Sequence, residues 1–551
     1  MRIFASNQFI TDLKESSREK GLYGAWVATN DFYKNLLRFG SFDEYNFFIL
    51  PENKQKRPLS KSLIPYVNNK KVKFKKVTQL PVFLSETDNF IFFTCSPLLS
   101  CIADLRSLHA KKYFPICGLT HTVSYAHLIS HDFFYNIVSD LKAFDSIICT
   151  SRSVLESLRR IYKLIREDFS RKFSINLRFK ARLDQLPLGV NNNDYNQNNK
   201  NESRKRLRLP GKKIIILYFG RLSISDKADL YPLLFSFKNL LKENKNILLV
   251  LAGKNFPDRY YIEKVKKMAT NMGIFKSTRF FINPSQNEKS LLYFASDIYV
   301  SPADNPQESF GLTVLEAMAA GLPVVISDWG GYKDIAKHNK IGFLIPTFWA
   351  DCNRQTADYT YLFAGYVGAE NLTLGQSVCV DIQKMTEYLN LLIRYKDLRS
   401  KLGSNARECV LKNYDWSVVI PKYERLWDKL IDEARRCKKS PKREPIFYPK
   451  YFECFSHYPS YVLAKETSVA ITEEGINLLK TKRFPSGIPS FDFIMPQAVL
   501  LILFYLKERH YSSIREISHH IKKFFKEIGL DKISYHIMWM LKNYFIKVIS
   551  K

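Results

Sequence analysis

The chain has 551 residues, 46% of them hydrophobic and 14% aromatic, which excludes a disordered protein and leaves room for two or three domains with their own cores. A formal charge of +31 points to anionic partners such as nucleotide diphosphates, phospholipid headgroups, lipid-linked phosphates or nucleic acid, without choosing among them. The nine cysteines have no C-x-x-C spacing and read as free thiols in a reducing cytoplasm. The first residues lack an apolar signal-peptide core, and the longest late apolar run, 498–506, is too short to span a bilayer. The expectation is a cytoplasmic protein, soluble or at the inner membrane surface.

Residues 1–190 read as a first α/β domain. Short apolar runs at 47–50, 82–84, 90–94, 114–117 and 146–150 suit parallel strands, with helical patterns at 98–109 and 134–144 between them. The first strand is unplaced, and only Gly21 and Gly24 offer a glycine turn near it. Residues 51–76 carry nine lysines and arginines and read as a basic loop, either a solvated face or a membrane or phosphate contact. In the loop 114–127, Gly118 and Thr120 turn the chain after a strand and present His121, either to a ligand or to a buried structural hydrogen bond; His127 and His131 follow at helix-surface positions. At 145–163 a strand leads into a helix with Ser151 ahead of it. This helix is basic on one side (Arg159, Arg160, Lys163) and apolar on the other (Leu155, Leu158, Ile161), which fits core packing or a lipid surface. The asparagine-rich stretch 186–207 reads as a hinge.

Residues 191–434 read as a second α/β domain. The buried strand 213–219 ends at a turn where Arg221 and Lys227 precede a helix, an arrangement suited to clamping a diphosphate. Further strands are expected at 247–251, 280–282 and 297–301, with a short helix at 287–295. A helix beginning near Phe310 is bracketed by Glu308 and Glu316, and the break at Gly321–Pro323 leads to a strand at 324–326. The backbone amides of Phe310, Gly311 and Leu312 at this helix start suit an anion, with Gly311 leaving room for close approach. Residues 347–379 form an insertion without clear pattern. Helices are expected at 382–395, 397–414 and 416–434.

The combination of E-x7-E at Glu308 and Glu316, the Phe-Gly turn, the Glu-Ala-Met-Ala helix, the Gly-Leu-Pro break and the Gly330-Gly331 loop resembles the retaining nucleotide-sugar glycosyltransferases of the GT-B fold, family 4 (group 1). The resemblance covers residues 80–434 well and 1–80 poorly. It implies two Rossmann-like domains facing a cleft, with the last helix crossing back onto the first domain. It further implies a diphosphate held by Arg221 and Lys227, ribose hydroxyls bound by Glu316, the sugar bound by Glu308, and His121 facing the donor sugar. The implied reaction transfers a sugar from a nucleotide-diphosphate sugar to a glycan, glycolipid or peptide acceptor, with no metal and no cofactor beyond the donor. Ala228 departs from the family, where glycine is common. The rival reading is a nucleic-acid- or partner-binding protein with a degenerate transferase core; nucleic acid is the less favoured partner, and peripheral contact with an anionic membrane stays open.

Residues 435–551 lie outside the resemblance. A basic linker at 435–445 precedes a small, mostly helical domain. Helices beginning at 512 and 533, followed by a strand-like segment, suggest a winged-helix module bearing Lys522, Lys523, Lys526, Lys532, Lys542 and Lys547. It reads equally as a peptide or partner grip, a nucleic-acid contact, or a packing domain.

Overall fold

In a computed structural model, residues 1–7, 24–49, 71–195, 199–255, 260–362, 369–437, 444–446, 448–485, 493–525 and 528–549 are described. Gly21, residues 51–70 of the basic loop, residues 438–443 of the linker and Lys526 lie outside them. The chain divides into two compact units, Met1–Ile446 and Phe447–Lys551.

The first unit contains two parallel sheets. The N-terminal one is built from β1 (Ile3–Ser6), β2 (Glu44–Ile49), β3 (Lys71–Lys76), β4 (Phe90–Thr94), β5 (Ile116–Leu119), β6 (Ser146–Cys149) and β7 (Arg182–Gln185), in the order β3-β2-β1-β4-β5-β6-β7. Strand order reverses at β1 and β4, the place where open α/β sheets take ligands. Helix α1 (Gly24–Phe39) follows the first strand, whose position the sequence left open. β4 is buried along its whole length, which is why it stood out as an apolar run.

Three expectations are corrected here. The strand expected at 82–84 is helix α2 (Leu80–Glu86): Pro81 occupies its first turn, and Leu80, Phe83 and Leu84 are buried at helical spacing while Val82 faces solvent. The end of the basic loop is edge strand β3, whose Lys71 and Lys73 pair with Glu44 on β2 at 3.0 and 2.8 Å. The helix expected at 134–144 is shorter, Phe133–Val138, entered through a π-helical turn. Helix α3 (Arg152–Phe173) begins where Ser151 Oγ accepts the Val154 N–H, and it buries Val154, Leu158 and Tyr162.

The second sheet comprises β8 (Ile214–Phe219), β9 (Ile247–Gly253), β10 (Thr278–Ile282), β11 (Ile298–Ser301), β12 (Val324–Ser327) and β13 (Gly342–Ile345), in the order β10-β9-β8-β11-β12-β13. Its order reverses between β8 and β11. Helix α4 (Gln286–Ala295) precedes β11, and α5 (Leu312–Ala319) joins β11 to β12. The patternless insertion has structure of its own: an antiparallel pair, β14 (Thr347–Trp349) with β15 (Val378–Val380), carries α6 (Asn353–Leu362) and α7 (Ala369–Gln376) between its strands. Helix α8 (Trp416–Arg435) returns to the first sheet, where Trp427 packs against Phe4, Phe32 and Phe93. Polar contacts lock it there: Asp428 takes the Arg2 guanidinium at 2.7 Å, and Glu424 accepts the Ser41 N–H and Oγ–H at 2.6 and 2.9 Å.

The second unit has a three-stranded antiparallel sheet, β17-β16-β18, from β16 (Ser468–Ile471), β17 (Tyr511–Ser513) and β18 (Ile546–Val548). Its helices are α9 (Glu473–Thr481), α10 (Pro496–Arg509), α11 (Ile514–Phe524) and α12 (Leu530–Lys542), with Ser513 and Glu516 forming a capping box at α11. The expected order of helix, helix and strand is observed; β16, β17, α9 and α10 were not foreseen. Among the described residues no helix is long and apolar enough to cross a membrane.

Candidate functional site

A cavity of about 540 Å³ opens between the two sheets, and Arg221, Lys227, Glu308, Glu316, Phe310, Gly311, Leu312 and His121 all line it. The sequence placed these residues up to 195 positions apart (121 to 316); the two switch points bring them together.

The second sheet supplies the charges. Arg221, just past β8, donates to Asp226 Oδ2 at 3.2 Å, to the Asp226 carbonyl at 3.1 Å and to Gln307 Oε1 at 2.7 Å. Lys227 and Glu308 form an ion pair, both nearly buried, and the Tyr332 hydroxyl donates to Glu308 Oε2 at 3.3 Å. Burial works against the Lys227 charge, but Glu308 and the neighbouring phenols of Tyr299 and Tyr218 outweigh it and hold its pKa above the usual value. Glu316 pairs with Lys289 and accepts the Tyr293 hydroxyl at 2.9 Å. Arg221, Lys227, Lys254 and Lys289 thus face Asp226, Glu308 and Glu316, four cations against three carboxylates, so the lining carries a net positive charge.

Gly311 caps α5 with φ 120°, and a Cβ there would lie 2.7 Å from the Tyr332 ring. Only glycine permits this turn, which sets the Phe310–Leu312 backbone against the cavity.

The first sheet supplies a largely uncharged wall: Trp26, Val27 and Ala28 from α1, His121, Thr122 and Tyr125 from the loop after β5, and Leu188 from the hinge. His121 Nε2 lies 3.3 Å from Thr29 Oγ1, and its carbonyl accepts the Ser309 hydroxyl across the cleft. Burial pushes the imidazole down to about 4, against a hydrogen bond with the Cys95 backbone that favours the charged form. At neutral pH His121 is therefore an uncharged hydrogen-bonding group and not a cation. His127 and His131 are exposed and do not line the cavity.

Sequence reasoning missed Lys289, Tyr293, Asp226, Gln307, Tyr332 and Trp26. Lys289 and Tyr293 share a face of α4 at four-residue spacing, and only the fold shows that this face meets Glu316. Gln307 was legible as the neighbour of Glu308, but its link to Tyr125 (Nε2 to Oη, 2.5 Å) crosses between sheets.

Residues 199–358 match the family model of group 1 glycosyl transferases. A D-inositol 3-phosphate glycosyltransferase from Streptomyces bingchenggensis is 31% identical over 149 residues, which is 26% of this chain and 32% of that protein. The chain spans between 28% and 53% of the length of the first curated relatives it matches. Sucrose-phosphate synthase from Thermosynechococcus elongatus superposes with a TM-score of 0.52 at 15% identity, over 79% of this chain and 100% of that one. The Anabaena protein HepE, solved in complex with UDP and glucose, gives a TM-score of 0.52 at 14% identity over 78% of this chain and 99% of its own. The two Rossmann-like α/β domains of the first unit thus have the GT-B fold of glycosyltransferases, and the second of them carries the group 1 signature.

Proposed function

We propose that the protein is a retaining glycosyltransferase of family 4 that uses a nucleotide-diphosphate sugar as donor. The observation that carries this reading is the convergence of Arg221, Lys227, the Phe310–Leu312 backbone, Glu308, Glu316 and His121 on one cavity. The bond from the anomeric carbon to the leaving phosphate breaks, and a bond to the acceptor oxygen forms on the same face. The departing phosphate takes the acceptor proton, so no covalent carboxylate and no metal is needed. Arg221, Lys227 and the α5 amides stabilise the charge building on that phosphate, each well-placed donor being worth roughly 3 kcal/mol. Glu316, held by Lys289 and Tyr293, binds the ribose hydroxyls. Glu308 and neutral His121 hydrogen-bond the transferred sugar. The acceptor is a glycan, glycolipid or peptide met in the cytoplasm, and the C-terminal unit is a winged-helix-like module.

Thermal melts with UDP-, GDP- and ADP-sugars test this, because a ligand bound only by the native state raises the melting temperature. One nucleotide class should stabilise the wild type and not Glu316→Ala. No stabilisation by any donor, beside tight binding of nucleic acid or protein, would favour a degenerate transferase core.

A further inference from the structure

Side-chain hydrogen bonds cross the cleft between the loop after β5 and the second α/β domain. Ser309 Oγ donates to the His121 carbonyl, and Ser124 Oγ donates to Asn371 Oδ1 at 3.0 Å. The first ends on a backbone carbonyl and the second on a buried amide outside the cavity lining. A third contact continues into the site. Gln307 Nε2 donates to Tyr125 Oη at 2.5 Å, and Gln307 Oε1 accepts from Arg221 Nη2 at 2.7 Å. Tyr125, Gln307 and Arg221 all line the cavity.

The chemistry of its two ends fixes how the Gln307 amide sits. A guanidinium has no acceptor, so the amide oxygen must face Arg221 and the amide nitrogen must face Tyr125. The backbone is fixed as well. Gln307 N–H donates to Asn305 Oδ1 at 2.9 Å, and fully buried Asn305 donates to the Ser225 and Asn371 carbonyls at 2.6 and 3.0 Å. Arg221 also donates to the Asp226 carbonyl and Oδ2, at 3.1 and 3.2 Å, both longer than its bond to Gln307. A neutral amide orients the guanidinium without neutralising it and so leaves its charge for an anion; a carboxylate at this position would not.

Tyr125 belongs to one half of the cleft and Arg221 to the other. The Tyr125–Gln307 bond forms only where the two halves meet, so the amide is held at both ends only in the closed cleft. An open cleft leaves the amide one partner fewer, and the guanidinium one restraint looser.

We propose that Gln307 is a positioning residue: with Tyr125 it ties closure of the cleft to the orientation of Arg221 against the donor diphosphate. This rests on the transferase reading. Turnover is followed in the full-length protein as nucleoside diphosphate released from UDP-, GDP- and ADP-sugars, with water as acceptor. Tyr125→Phe removes one hydroxyl and keeps the ring that stacks on His127, so the fold is retained even if Gln307→Leu disturbs it. Each variant should lower kcat about tenfold while the donor KM stays within about twofold, because the restraint acts on the reacting complex and not on ground-state binding. The double variant should lose no more than either alone, since both break one chain of bonds. Gln307→Glu should do the reverse, raising KM about tenfold with a smaller effect on kcat: Tyr125 can donate to the new carboxylate, whose charge opposes the diphosphate. Wild-type kcat in Tyr125→Phe, a loss carried by KM instead, or losses that multiply in the double variant would overturn the proposal and leave the donor reading standing. So would matching kinetic profiles in Gln307→Glu and Gln307→Leu. A wild type that turns over none of these sugars defeats the donor reading, and the positioning role with it.

Discussion

The first unit contains two kinds of buried ion pair, those turned wholly into the interior and those that border the cavity. In the N-terminal sheet Arg106 and Asp145 are both fully buried and bonded twice to each other, at 2.7 and 2.8 Å. Arg106 also donates to the Phe114 and Asp140 carbonyls, and Asp145 also accepts the backbone N–H groups of Ile116 and Lys142. That pair stitches β5 to the chain entering β6. In the second sheet Lys227–Glu308 and Lys289–Glu316 are nearly as buried but face the cavity, with tyrosine hydroxyls as their further partners. The interior pair, with only Arg106 Nε lacking a hydrogen-bond partner among the described residues, holds the fold together; a pair on a cavity wall can exchange partners with a ligand.

Substitution should separate the two kinds. Arg106→Met strands a buried carboxylate and should destabilise the protein by about 3–5 kcal/mol in denaturant titrations. Arg106→Met/Asp145→Leu should recover only part of this, because two backbone N–H groups lose their acceptor. Lys227→Met should cost less stability, since Glu308 borders the cavity and can rehydrate, yet should lower kcat/KM with the identified donor by about 100-fold. Equal stability losses in Arg106→Met and Lys227→Met would break the distinction. Lys289→Met should act more weakly still, raising the donor KM about tenfold with a smaller change in kcat, because it only orients Glu316.

The same contrast explains what could be read from the sequence. The second α/β domain is legible because its candidate site is local: Glu308, Gly311 and Glu316 sit on one loop and one helix, and β8, β11 and β12 are largely buried. In the first half, β3 and β7 escaped because edge strands are half-solvated and polar, with KVKFKK and RLDQ carrying no apolar run. Helix α2 reads as a strand in the sequence because three apolar residues in a row look alike in either, whereas Pro81 marks the first turn of a helix. Lys289 and Asn371 were invisible for another reason. Their partners, Glu316 and Ser124, are set by tertiary packing, and nothing in the neighbouring sequence specifies it.

A last prediction concerns the weakly charged wall that the first half turns to the cleft. His121, held at about 4 by burial, stays neutral in the fold while an unfolded histidine near 6.5 takes a proton, so its contribution is intact above pH 6.5 and is lost as pH falls towards 4. Asp31 on α1 is raised to about 6, mainly by burial, with Glu316 and Asp194 adding to the rise and Lys34 and Lys289 opposing it. Its sign is opposite. The unfolded carboxyl ionises near 3.8, so the stability associated with the protonated form is lost as pH rises from 3.8 through 6. The two slopes cancel over this window in the wild type. Asp31→Asn should therefore unmask a stability that rises with pH by about 1 kcal/mol, and His121→Asn one that falls by a similar amount, in chemical denaturation across the window. Parallel profiles in both variants would mean that neither group is shielded from water, and the first sheet's wall would then be as open to solvent as the second's.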